Sequence, residues 1–173
     1  MTPPTWPAGE FVSEPNSTPA RRAELIAEME SFPSRLAISL AAIGDGTLEL
    51  KYRNWTVRQI VHHLADSHVN CFVRLRLTLT EENPIIKPYD ESKWSELSDN
   101  RTMDVNPSIE ILTAIHKRIV AVFRTMTPEQ FSRTYVHPEY KKTVTLNEML
   151  GLYAHHGRHH LAQIEWVKAN RVS

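Results

Sequence analysis

The feature that most limits how this chain can fold is an apolar stripe of helical period near its C-terminus, with two histidines inside it. Leu146, Met149, Tyr153, His156, His160, Ile164 and Val167 recur at three- and four-residue intervals, the spacing that lines one face of an α-helix. A helix turned inward along this stripe buries two imidazoles one turn apart on the same side. Burying polar groups without partners is costly. One divalent cation satisfies an i, i+4 pair of imidazoles at once. The bland alternative is that the two rings hydrogen-bond to neighbouring side chains.

Three further segments carry the same period. Thr18-Pro19 places an N-cap and a first-turn proline ahead of Leu25, Ile26, Met29, Phe32, Leu36, Leu40 and Ile43, with Pro33 expected to kink or split that helix and Gly44-Asp45-Gly46 to end it. Thr56-Val57-Arg58-Gln59 is a capping box for a second helix running to about Thr80, striped by Ile60, Val61, Leu64, Cys71 or Phe72, Leu75 and Leu79. Asn106-Pro107 opens a third, with Ile109, Leu112, Ile115, Ile119, Val122 and Phe123. Thr145-Leu146-Asn147-Glu148 is a capping box for the last. Thr127-Pro128-Glu129-Gln130 reads as a short turn, and His137-Pro138-Glu139-Tyr140 as loop.

Four long amphipathic segments joined by polar connections predict an all-α fold, a four-helix bundle. The length, 173 residues, fits a single domain spanning 1–173. Residues 1–19 hold five of the eleven prolines and read as an extended arm lying on the body through Trp6 and Phe11. The connection from Glu81 to Asn106, long enough to be functional, is expected to cover the site, with a helical turn near Trp94.

Composition narrows the function classes. Lysines plus arginines equal aspartates plus glutamates at 20 each, so no basic field draws nucleic acid or anionic lipid. One cysteine, Cys71, excludes an internal disulfide framework. No apolar run approaches a membrane span and no signal-peptide pattern opens the chain. The expectation is a cytoplasmic protein acting on a small molecule.

Of nine histidines, seven fall in two clusters: His62, His63 and His68 on the second helix, and His155, His156, His159 and His160 on the last. Other metal patterns fail. Gly157 stands where a zincin has glutamate, no Glu-x-x-His pair serves a di-iron site, and one cysteine makes no zinc finger. The third ligand stays open between His68, beside the apolar stripe, and His63, on a polar line with Gln59, Asp66 or Ser67, Asn70 and Arg74. That line either faces water or lines a polar cavity.

The segments Trp55–His68, Leu79–Glu82, Ile86–Asp90, His137-Pro138 and Gly151–Leu161 occur in the order and at the intervals of the YfiT-like branch of the DinB superfamily, which this chain resembles. The resemblance implies a four-helix bundle with one divalent metal held by His63, His156 and His160. It further implies a homodimer, and either a metal-dependent hydrolase or a thiol S-transferase using a low-molecular-weight thiol such as bacillithiol. Two positions depart from the family pattern: Tyr52-Arg53-Asn54 replaces a glycine-containing turn, and Gln163 replaces a histidine of several relatives. Three neutral imidazoles leave a coordination position open, and zinc or nickel suits nitrogen donors. The ion would activate water or hold a thiolate. No catalytic base is identifiable from sequence. Asp66, Ser67, Gln163 and Tyr153 are the candidates for orienting the rings.

Overall fold

A computed structural model describes residues 2–43 and 45–170. Four long helices dominate it: α1 (Pro19–Ala41), α2 (Val57–Thr80), α5 (Asn106–Thr125) and α7 (Leu146–Asn170). Between α2 and α5 lie two short helices, α3 (Glu91–Ser95) and α4 (Ser98–Thr102), and α6 (Pro128–Phe131) follows α5. Helix α1 packs on α5 and α7, and α2 packs on the same two. The cyclic order is therefore α1–α7–α2–α5. No helix among the described residues is long and apolar enough to cross a membrane.

Local chemistry sets the helix starts. Thr18 Oγ1 accepts from Arg21 N at 3.1 Å, and Pro19 occupies the first turn, where its missing N–H costs nothing. The Thr56–Gln59 capping box closes in both directions. Thr145 and Glu148 do the same for α7, each backbone N–H donating to the other's side chain at 3.0 Å. At α5 the expected cap moves by one residue. Asn106 is already helical, Val105 is the N-cap, and Asp104 Oδ1 accepts from Asn106 N at 2.7 Å.

Three expectations are corrected. Pro33 does not split α1, which is continuous from Pro19 to Ala41. Helix α1 also stops at Ala41, before the Gly44-Asp45-Gly46 run; Gly44 lies outside the described residues, and Asp45–Glu49 forms a 3-10 turn. Of the run read as loop, Pro138-Glu139-Tyr140 is the turn of an unexpected hairpin, and His137 instead ends its first strand, β3 (Thr134–His137), which pairs with β4 (Lys142–Thr145). A smaller hairpin, β1 (Lys51–Tyr52) with β2 (Trp55–Thr56), leads into α2. Its turn carries Arg53 at φ 54°, in the left-handed region that glycine tolerates best, at the position where the departure from the family pattern was noted. Arg53 Nη2 bonds Pro3 O and Thr5 Oγ1, both at 2.9 Å, tying that turn to the N-terminal arm.

The apolar interior forms two layers. One joins Leu25, Met29, Cys71, Leu75, Ile119, Phe123, Met149 and Leu150. The other joins Leu36, Leu40, Ile60, Leu64, Leu112, Leu161 and Ile164. On α2, α5 and α7 the interval between the layers holds His68, His116 and His156. Burial of the flanking hydrophobes, about 1.5–3 kcal/mol for each large side chain, fixes where those rings stand.

Candidate metal centre

Three imidazoles converge where α2 meets α7. His63, His156 and His160 place one ring nitrogen each within 4.8 Å of the others. His63 Nε2 and His160 Nε2 each lie 3.1 Å from His156 Nε2. All three rings are largely withdrawn from solvent. Burial lowers their pKa values, that of His63 to about 4, so the rings are neutral near pH 7.

The donor set fits a divalent cation. Zinc–imidazole bonds of about 2.0–2.1 Å put neighbouring nitrogens of a tetrahedral site roughly 3.4 Å apart, close to the observed spacing. Proton bookkeeping leads the same way. His160 Nδ1 lies 2.8 Å from Gln163 Oε1. The amide oxygen accepts, so the ring proton is on Nδ1 and a lone pair on Nε2 points at His156. A divalent cation among the three nitrogens would take that lone pair.

Of the four candidates for orienting the rings, Gln163 is the one that hydrogen-bonds a ring of the three. Of the others, Asp66 and Tyr153 hydrogen-bond elsewhere, though the Tyr153 ring meets that of His156 edge-on at 6.1 Å. Asp66 Oδ2 accepts from Asn100 Nδ2 at 3.2 Å, and Ser67 lines the same cavity as Tyr89. The Tyr153 hydroxyl accepts from Arg74 Nη1 at 3.3 Å, while its ring meets His68 edge-on at 5.3 Å. Sequence reasoning did not single out the part Trp55 plays: its ring lies 4.7 Å from that of His63 and 6.5 Å from that of His160, forming one wall of the centre. Nothing in a period-based reading marks it.

The remaining clustered histidines go elsewhere. His62 faces α5, with Nδ1 2.8 Å from Ser108 Oγ. His68 is fully buried, its Nε2 3.2 Å from His156 Nδ1. It backs the triad and adds no nitrogen to the group of three. His155 is buried beneath Phe11 of the N-terminal arm at a ring separation of 5.5 Å. His159 meets Trp6 of the same arm at 5.7 Å. Cys71 is a core residue whose thiol pKa is pushed up by burial.

On the other side of His156 a cavity of about 870 Å³ opens, lined also by Arg74, Tyr89, Glu91, His137 and Tyr153. Of the polar line of α2, Ser67 and Arg74 line this cavity, while Gln59 meets α3 and His63 the other two converging rings. The crossover contributes Tyr89 and Glu91, and the Glu91 carboxylate reaches 4.0 Å from His63 Nε2. Gln59 Nε2 donates to Ser95 O at 2.9 Å, pinning α3 over the start of α2. Arg74 makes no ion pair among the described residues. Its Nε is buried without a partner.

Comparison with known proteins places the chain in a family. The chain is 43% identical over 162 residues to "Putative metal-dependent hydrolase YfiT" of Bacillus subtilis, covering 92% of this chain and 91% of the relative. A protein of Oceanobacillus iheyensis with the same description is 42% identical over 161 residues, covering 92% of each. The crystal structure of Bacillus subtilis YfiT, described as a probable metal-dependent hydrolase with an unusual four-helix bundle topology, superposes with a TM-score of 0.93 at 41% identity over 95% of both chains. A mycothiol-dependent maleylpyruvate isomerase shares the fold at a TM-score of 0.66 and 15% identity, over 88% of this chain and 63% of that one. The DinB superfamily model matches residues 28–164, a span that takes in all three converging histidines, and by that match and those relatives the chain belongs to the DinB superfamily.

Proposed function

We propose that this protein is a metal-dependent hydrolase in which His63, His156 and His160 hold one divalent cation, zinc or nickel, beside a cavity that admits a small electrophilic substrate. The observation that carries the reading is the convergence of three imidazole nitrogens with a lone pair of His160 aimed inward. The names of the relatives support it. An ion held by three neutral imidazoles keeps a coordination position open and acidifies the nucleophile presented there. The residues of the chain do the rest. Trp55 shields one side of the triad from water. Glu91, on the covering segment, stands where a carboxylate can take the proton of the nucleophile. Desolvation, with the charges of Glu139 and Asp90, raises its pKa, which moves it toward the working range of a general base. Arg74, unpaired and lining the cavity, favours a substrate with an acidic group.

A second reading has a specific observation behind it. The cavity is at the large end for a drug-sized ligand, with room for a thiol cosubstrate as well as an electrophile, and the isomerase that shares the fold is described as mycothiol-dependent. In that reading the nucleophile is a low-molecular-weight thiolate. One assay separates the two: turnover of an activated ester or an alkyl electrophile by the purified protein, with and without thiol, and before and after chelation. Thiol-independent turnover that chelation abolishes and zinc or nickel restores supports the hydrolase. Turnover that requires thiol supports the transferase. Turnover indifferent to chelation overturns both.

A further inference from the structure

Helix α1 holds a proline in its interior. Pro33 has no N–H to donate to the carbonyl of Met29, four residues back. That carbonyl is taken by another helix: His116 Nδ1, on α5, lies 2.6 Å from it. A carbonyl oxygen only accepts, so the proton of His116 is on Nδ1. From there a chain of rings runs to the triad. His116 Nε2 lies 2.8 Å from His68 Nδ1, and His68 Nε2 lies 3.2 Å from His156 Nδ1.

The polarity of this chain follows from its first link. His116 and His68 are 2% and 0% exposed, and their ring nitrogens bond only Met29 O, each other and His156 Nδ1, so a charge on either would be buried without a counter-ion. Each ring is neutral, with one nitrogen a donor and the other an acceptor. His116 donates through Nδ1 and must accept through Nε2. His68 therefore donates its Nδ1–H to His116 and accepts at Nε2. His156 in turn donates its Nδ1–H to His68, which leaves the lone pair on Nε2, the atom that faces His63 and His160.

We propose that Pro33, His116 and His68 are positioning residues of the triad: the carbonyl that Pro33 frees sets, through two buried imidazoles, the tautomer in which His156 presents a lone pair to the metal. Phe32 clamps the relay. Its ring stacks on His68 at 5.8 Å and contacts His116 at 5.5 Å. Gly157 makes room for it, since a Cβ there would lie 2.9 Å from the Phe32 ring. The glycine that follows His156, the residue that breaks the zincin pattern, thus has a packing reason of its own.

The polarity holds with or without a metal, so it is tested apart from the function proposed above. Long-range proton–nitrogen NMR correlation of the imidazoles in metal-free, 15N-labelled protein reads each tautomer directly. In the wild type, His116, His68 and His156 all appear with the proton on Nδ1. His116→Phe removes the acceptor for His68 Nδ1–H. His68 then donates through Nε2, and the proton of His156 moves to its own Nε2. Zinc affinity, measured by competition with a chromophoric chelator, falls by on the order of 10- to 100-fold, the effect typical of lost outer-sphere partners. His116→Gln, whose amide can donate to Met29 O and accept from His68, restores both readings. A wild-type His156 with its proton on Nε2 overturns the proposal, and so does a folded His116→Phe protein with unchanged tautomer and zinc affinity. The wild-type spectrum decides the matter even if His116→Phe fails to fold.

Discussion

The triad has an open side and a sealed side, and they are built from different materials. On the open side His156 borders the cavity, with Arg74, Tyr89 and Glu91 around it. On the sealed side His156 is backed by His68, His116, Phe32 and the carbonyl of Met29, all between two apolar layers. Water and substrate need the first. The second needs dryness, because a chain of neutral rings keeps its polarity only where no water offers a competing hydrogen bond. Substitutions on the two sides should therefore fail differently: on the open side turnover falls with the metal retained, and on the sealed side stability and metal affinity fall together.

The largest expected effect is at the seam. His63→Ala, His156→Ala and His160→Ala should each lose at least about 100-fold in zinc affinity, since one of three ligands is gone. His62→Ala and His155→Ala, whose rings stand outside the group, should stay within about threefold of the wild type. Isothermal titration of metal-free protein measures both. Loss at His155 equal to that at His156 would erase the distinction between the converging rings and their neighbours in sequence.

Next comes the sealed side. Phe32→Ala should cost about 3–5 kcal/mol of stability by denaturant titration, and Gly157→Ala about 1–3 kcal/mol through overpacking against the Phe32 ring. Both should also weaken zinc binding. Stability lost with zinc affinity intact would show the relay to be plain core.

The acid response is smaller and has a definite sign. Burial lowers the pKa of His116 from 6.5 to about 4, partly opposed by its bond to Met29 O. Below about pH 6.5 the unfolded chain takes up a proton there that the folded chain refuses. The contribution is full above that pH and is lost as pH falls toward about 4, by at most about 3 kcal/mol. Denaturation of metal-free protein between pH 7 and pH 4 should show a shallower fall for His116→Phe than for the wild type. Equal slopes would mean that His116 is not held neutral.

The smallest structural effect belongs to the open side. Glu91→Gln should leave zinc affinity and stability unchanged, the latter within about 0.5 kcal/mol for an exposed site, while kcat falls by about 10²-fold or more, the usual scale of general-base catalysis. Unchanged kcat removes Glu91 from the reaction.

What was legible in the sequence was what is local. Thr56–Gln59 and Thr145–Glu148 announce helix starts because both halves of each capping box lie within one turn. His156 and His160 announce a shared face because helical spacing alone puts them there. The choice between His63 and His68 was not legible from pattern, because α2 is buried all round at that level, against apolar layers on one side and the cavity and crossover on the other. A period separates inside from outside, and both rings are inside. The DinB resemblance, not the period, singled out His63. His116 carried no signal, a lone histidine whose partners, His68 and Met29, are 48 and 87 residues away. That Pro33 leaves its helix unsplit was hidden for the same reason. A proline inside a helix reads as a break until another helix supplies the donor it lacks. The β3–β4 hairpin was missed because its strands are only four residues each, and the segment that covers the other edge of β3, at Val136, comes from the distant α2–α3 connection.

The most direct measurement is a crystal structure of the protein purified without chelator, with anomalous data collected on both sides of the zinc and nickel absorption edges. The account predicts one anomalous peak about 2.0–2.1 Å from the Nε2 atoms of His63, His156 and His160, with an exchangeable position toward the cavity. A peak ligated by His68 in place of His63, or no peak at the triad after incubation with zinc or nickel, would contradict it.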